Sequence, residues 1–238
     1  MITYRQLGRN GRLGNQLWQI AGTIGVARRR NEPAGFPFWR YHAYFSLPDD
    51  LFPDLSMVNG EDLGLDYFQD LRHLSGIEDL VRQYFTPRPE VWATIAHRFR
   101  DVLALPHRTA VHVRRGDYLD HRDLFPPLPL DYYREAMTLT SGPYLVFSDD
   151  MAWCRAQLPG DCIFVEHNRD FEDLFLMTKC DEHITANSTF SWWGAWLAGA
   201  RAIYPSTWGP GFAHEAPAAV MPTGAIVLDV PESADVSA

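Results

Sequence analysis

The sequence predicts an α/β fold built on parallel sheets. Three observations carry this. Short apolar, β-branched runs alternate with longer stretches of helical periodicity. Several helical stretches open with capping-type residues, as in Ser148-Asp149-Asp150 and Asn187-Ser188-Thr189. The turns that carry glycine or paired arginine follow strands, where open α/β sheets place ligands.

Residues 2–7 read as a first strand, and 8–14 as a loop with three glycines. From 15 to 30, Leu17, Ile20, Ala21, Ile24 and Ala27 recur at helical spacing. Residues 33–60 are irregular, with Pro33, Pro37, Pro48, Pro53 and a dense set of aromatics. Helices are expected at 71–84 and 88–103, and Pro106-His107 reads as a link into a second half. There, strands are expected at 109–113, 144–147, 162–165, 183–185 and 202–204. Helices are expected at 130–140, after 150, at 171–179 and at 188–198. The expected divisions are an N-terminal lobe 1–105, a C-terminal lobe 106–230 and a tail 231–238 with little to bury.

A chain of 238 residues, 46% hydrophobic and 13% aromatic, is long enough for one large domain or two small ones. No apolar run approaches the roughly 18 residues of a membrane span, and the start lacks the order of a secretory signal. The net charge of −9 argues against nucleic acid as a partner. Of 21 basic residues only Lys179 is lysine, so an anion site here is built from arginine. Cys154, Cys162 and Cys180 have no metal-type spacing and read as reduced, buried thiols of a cytoplasmic protein.

Four constellations bear on chemistry. His112-Val113-Arg114-Arg115-Gly116-Asp117-Tyr118 ends an apolar strand with two arginine forks, which bind oxyanions bidentately. It reads as a phosphate grip, or as a surface pair held by Asp117 or Asp120. Gly8 to Gln16 forms a glycine loop before a helix, where a backbone approaches an anionic ligand closely. Its spacing is not that of a dinucleotide fingerprint. Asn187-Ser188-Thr189 brings hydroxyls to a helix start, as caps or as phosphate donors. Trp192 and Trp193 beside Gly194-Ala195 read as tight core packing. Asp173 is a helix-start aspartate, a dipole partner or an acceptor for guanine N1–H and N2–H₂. Asp149-Asp150 reads as a capping pair rather than a metal site.

The ordered set Gly-Arg-Leu-Gly-Asn-Gln (11–16), His-Val-Arg-Arg-Gly-Asp-Tyr (112–118), Phe-Ser-Asp-Asp (147–150) and Asn-Ser-Thr-Phe-Ser-Trp-Trp-Gly-Ala-Trp-Leu (187–197) resembles the α-1,2-fucosyltransferases of glycosyltransferase family 11. Tyr67-Phe68-Gln69, Pro129 to Tyr133 and Asp173 to Met177 fit the same pattern, so the resemblance runs over about residues 5–210. It implies a GT-B-like architecture of two Rossmann-type lobes, the C-terminal one holding the nucleotide sugar. It implies inverting, metal-independent transfer of L-fucose from GDP-β-L-fucose to a glycan hydroxyl, with no cofactor.

By motif position, Arg114 resembles the arginine on the donor's β-phosphate, with Arg115 supporting it. His112 and Asp173 match positions that meet guanine, and Ser188 and Thr189 match hydroxyls at the diphosphate. Gly14, Asn15 and Gln16 match a loop closing over phosphates and fucose. Arg114, Asn15 and Asp117 are the residues expected to act in the reaction. Asp117 is equally placed to orient the arginines, and no general base stands out. The acceptor is expected along 33–70, where Phe36, Phe38, Trp39, Tyr41, Tyr44 and Phe45 serve either as sugar platforms or as a lobe core. The intermotif segments are shorter here than in many family members. Other GDP-sugar transferases, protein O-fucosyltransferases included, and a non-catalytic nucleotide-sugar binder are the competing readings. Peripheral membrane contact is compatible with all of them.

Overall fold

A computed structural model describes residues 1–64, 66–208 and 219–230. The tail from 231 lies outside the described residues. The chain forms two compact units, Met1–Ile95 and Ala96–Ala238.

The first unit holds a three-stranded parallel sheet of two-residue strands: β1 (Ile2–Thr3), β2 (Ala34–Gly35) and β3 (Glu61–Asp62), in the order β2-β1-β3. The expected strand 2–7 stops early. Arg5 turns its guanidinium onto the carbonyls of Leu55 and Val58, and Gly8 adopts φ +83°. Helix α1 (Leu13–Arg29) buries residues all around its axis, so its apolar periodicity marks a core helix. Its glycines permit close approach: a Cβ at Gly22 would sit 2.4 Å from the Phe68 side chain. Phe36, Trp39, Tyr41 and Phe45 are core, whereas Phe38 is 87% exposed. Expected helices 71–84 and 88–103 are broken into a 3-10 turn (Leu71–His73), α2 (Glu78–Tyr84), α3 (Pro89–Arg98) and α4 (Arg100–Leu103).

The second unit follows the sequence expectation closely. Strands β4 (Thr109–Val113), β5 (Tyr144–Ser148), β6 (Ile163–Phe164), β7 (Glu182–Ile184), β8 (Arg201–Pro205) and β9 (Ile226–Leu228) form one parallel sheet, ordered β6-β5-β4-β7-β8-β9. Helices α5 (Leu130–Thr138), α6 (Met151–Gln157), α7 (Asp170–Met177) and α8 (Thr189–Ala198) connect the strands from β4 to β8. All five residues of β4 are buried, as expected for a parallel strand covered on both faces. Strand β9, which pairs Ile203 with Ile226, was not legible in the sequence.

Trp192 and Trp193 are fully buried, edge to face at 4.9 Å, so they are core as expected. At Gly194 a Cβ would approach Met177 Cβ to 3.0 Å, so glycine lets α7 and α8 pack this closely. The three cysteines are free and buried, and burial pushes their thiols up to about 11 for Cys154 and Cys162 and about 12 for Cys180. No helix among the described residues is long and apolar enough to cross a membrane.

Candidate active site

In the order β6-β5-β4-β7-β8-β9, the chain runs outward from β4 in one direction and from β7 in the other. The crevice beyond the carboxyl ends of β4 and β7 is therefore a topological switch point, where such sheets bind ligands. The arginine heptapeptide leaves β4 at this point, and Thr185 to Ser188 leaves β7. Tyr118 ties the two segments together, its hydroxyl donating to the Asn187 carbonyl at 3.0 Å.

The two arginines divide their work. The Arg114 guanidinium pairs with Asp117 at 2.6 Å and Asp149 at 2.7 Å, and lies 5.2 Å from the Tyr118 ring centre. Arg115 turns toward α6, with Asp150 at 3.3 Å and the Trp153 ring centre at 4.3 Å. Asp149 accepts the backbone N–H groups of Arg115 (2.9 Å) and Gly116 (3.1 Å). Burial pulls its carboxyl upward, but the Arg115 N–H, the Arg114 guanidinium and the Gly116 N–H outweigh this and hold it below the ordinary range. A Cβ on Gly116 would lie 2.7 Å from the Asp149 carboxylate, so glycine is required in this turn.

The expected capping pair is therefore split. Asp150 does cap α6, accepting from Trp153 N at 3.1 Å, while Asp149 clamps the arginine turn. Among the described residues no cluster of metal-ligating side chains is found.

His112 is buried at the end of β4, with its ring 5.4 Å from Phe190. Burial, reinforced by Arg114 and opposed by Asp149, lowers its pKa to about 3, so the imidazole is neutral. Its Nδ1 is buried without a hydrogen-bond partner among the described residues, as is Asn187 Oδ1 on the adjoining segment. Ser188 is the N-cap of α8, accepting from Phe190 N, and Thr189 is the first residue of that helix. His112, Arg114, Ser188 and Thr189 thus come from the two segments that border one crevice.

Beside it lies a recess of about 280 Å³, lined by Ser148, Asp149, Met151, Val165, Glu166, His167, Asn168 and Asp173. Asp149 stands both on this wall and on Arg114, so the recess adjoins the arginine. Asp173 projects from the first turn of α7. Burial pushes its pKa up to about 7, against a lowering hydrogen bond from Asn168 Nδ2 at 2.7 Å. A carboxylate so desolvated takes hydrogen-bond donors readily.

In the first unit, the glycine loop is anchored from α1. Gln16 Nε2 donates to Gly11 O at 2.9 Å, its Oε1 accepts from Trp39 Nε1 at 2.8 Å, and Gln19 Nε2 donates to Asn10 O at 3.2 Å. Gln16 is 4% exposed and its amide bonds are spent inside the unit. Asn15 Oδ1 accepts from Gln69 Nε2 at 3.3 Å. Gly14 lies buried in the first turn of α1, where Arg12 provides no side-chain cap.

The sequence reading missed three contributors: the clamp role of Asp149, Tyr118 as a tie, and Asn168 beside Asp173. Asp149 stood within a quoted motif, and the hydroxyl three residues after the arginine pair was a usable signal for Tyr118. Asn168 carries none.

The family model described as Glycosyl transferase family 11 matches residues 27–209. The O-antigen biosynthesis glycosyltransferase WbnK of Escherichia coli is 35% identical over 161 residues, 60% of this chain and 52% of that protein, so this chain spans about half of its length. The alpha-1,2-colitosyltransferase of Escherichia coli is 30% identical over 249 residues, 79% of this chain and 85% of that protein. The galactoside alpha-(1,2)-fucosyltransferase 2 of Sus scrofa is 34% identical over 244 residues, covering 82% and 69%. Among solved structures, fucosyltransferase NodZ from Bradyrhizobium shares the fold, with a TM-score of 0.54 and 16% identity over 81% of this chain and 91% of that one.

Proposed function

The chain belongs to glycosyl transferase family 11, and from that membership we propose that it transfers L-fucose from GDP-β-L-fucose to a glycan. The transfer is inverting, needs no metal or other cofactor, and is directed to O2 of a terminal galactose. The observation that carries this reading is Arg114 at the switch point, adjoining a recess lined by the half-buried carboxyl of Asp173.

Cleaving the bond from fucose C1 to the phosphate oxygen builds negative charge on the departing diphosphate. Arg114 neutralises that charge, exchanging Asp117 for phosphate oxygens. Ser188 and Thr189 offer hydroxyls at the start of α8, whose dipole favours the same charge. Arg115 and Asp149 hold the turn that aims Arg114. Neutral His112 and ionised Asp173 face the base, Asp173 accepting from guanine N1–H and N2–H₂. Asp117 acts by orienting Arg114 before the donor binds. In the first unit, Gly14 and Asn15 serve the donor's phosphates and sugar, and Gln16 shapes their loop from within. Among the described residues of that unit, Phe38 is the most exposed aromatic, at 87% against 41% for Tyr67, and is the one to stack on an acceptor sugar. A cytoplasmic location fits its three free, buried cysteines.

Similarity to an alpha-1,2-colitosyltransferase favours one second reading, in which the donor sugar is colitose. Donor competition separates the two. With GDP-fucose and a panel of galactosides, turnover is expected, and EDTA is expected to leave the initial rate unchanged. Inhibition by EDTA that Mn²⁺ restores would contradict the metal-free step and return Asp149 and Asp150 to a metal role. Turnover of GDP-colitose alone would favour the second reading.

A further inference from the structure

We propose that Arg98, at the end of α3, is a positioning residue for base recognition, fixing the Asn168 amide so that its nitrogen faces the Asp173 carboxylate. The proposal rests on the reading of Asp173 as the guanine acceptor.

The relay is a chain of three side chains. Arg98 Nη2 donates to Asn168 Oδ1 at 2.6 Å, and Asn168 Nδ2 donates to Asp173 Oδ1 at 2.7 Å. A guanidinium only donates, so Asn168 presents its oxygen to Arg98 and has only its nitrogen left for Asp173. The same arginine donates to the His167 carbonyl at 2.8 Å and pairs with Glu172 at 3.3 Å. His167 is held in the left-handed region, φ +62°, on the segment that walls the recess. Arg98 thereby fixes both the shape of that wall and the direction of one hydrogen bond on it.

The amide direction matters because a largely desolvated carboxyl has two ways to be satisfied. Ionised, Asp173 accepts from Asn168 Nδ2 and keeps lone pairs for the base. Protonated, it donates to an amide oxygen, which requires Asn168 to turn over. Arg98 opposes that turn and keeps Asp173 an acceptor. Asp170 and Glu172 on α7 favour protonation, and Arg98 opposes it. Glu166, His167 and Asp149 are the other ionisable groups along the recess.

Calorimetry with GDP and with pyrophosphate, from pH 6 to 9, tests this. At pH 7, Arg98→Ala is expected to weaken GDP about 5–20-fold and to leave pyrophosphate within about twofold. The midpoint of the pH profile for GDP should move upward. Asn168→Ala should do the same at pH 7, and the double variant should be no weaker than the worse single variant within about twofold. Arg98→Lys, which keeps a donor for Asn168 Oδ1, should recover GDP affinity to within about threefold of wild type. Additive losses, equal losses of GDP and pyrophosphate, or a lysine variant as weak as alanine would overturn the positioning role. Should Asp173→Ala leave GDP binding unchanged, the guanine reading itself fails, and that result is separate from any obtained with Arg98.

Discussion

Arg114→Ala is expected to lower kcat/KM for sugar transfer by about 10³-fold or more, while the protein keeps its fold. Removing one preorganised donor to a developing oxyanion costs about 10²–10³ in rate. The loss here should exceed that range because of what remains. Asp117 and Asp149 lie 2.6 and 2.7 Å from the guanidinium. Without it, two carboxylates face the diphosphate, so attraction is replaced by repulsion. The turn itself survives, since Asp149 still accepts the N–H groups of Arg115 and Gly116. Arg114→Lys restores charge but not the fork, and should recover only part of the rate. Arg115→Ala should act differently: its guanidinium lies against Trp153 and Asp150, so the loss falls more on stability than on turnover. Initial rates and thermal melts of the three variants check this. Activity of Arg114→Ala within tenfold of wild type would contradict it.

Asp173→Asn should trade nucleotide selection for stability. The amide puts N–H donors where guanine also presents donors, so GDP affinity should fall about 10–100-fold with pyrophosphate little changed. Stability should move the other way. The carboxyl titrates near 7 in the folded protein against an ordinary 3.8, with burial the main cause. Between those values the folded state binds more protons than the unfolded one, so wild-type stability falls as pH rises from about 4 to 7 and then levels. Three units at 1.36 kcal/mol each set a ceiling of about 4 kcal/mol, and relaxation should reduce this to about 1–2 kcal/mol. Asp173→Asn removes that cost, so its advantage in denaturant unfolding should appear at pH 8 and vanish near pH 4. Wild-type GDP binding should also weaken below pH 7, as Asp173 takes up its proton. An asparagine variant no more stable at pH 8 and unchanged toward GDP would contradict both halves.

The parts legible in the sequence are those fixed by short-range rules. Strand β4 and its arginines stood out because a buried parallel strand is a continuous apolar run, and a double charge at its end breaks the pattern. Ser188 and Asp150 were readable as caps because capping is local. Trp192 and Trp193 were readable as core from the glycine and alanine beside them. Strands of two residues, such as Glu61–Asp62, carry no periodicity and form only because β1 offers an edge. Strand β9 depends on pairing with β8 across more than twenty residues of chain. The roles of Asp149, Asn168 and Arg98 were hidden for the same reason: each acts on a partner brought near by the fold. Gln16, matched by motif to the loop that closes over the donor, braces that loop from within, since Trp39 and Gly11 hold its amide.

Incubation with GDP-β-L-fucose and a β-galactoside, followed by NMR of the product, tests the central claim most directly. It should show α-L-fucose on O2 of galactose, with one GDP released per fucose transferred. A β-linked product, or fucose released only to water, would contradict it.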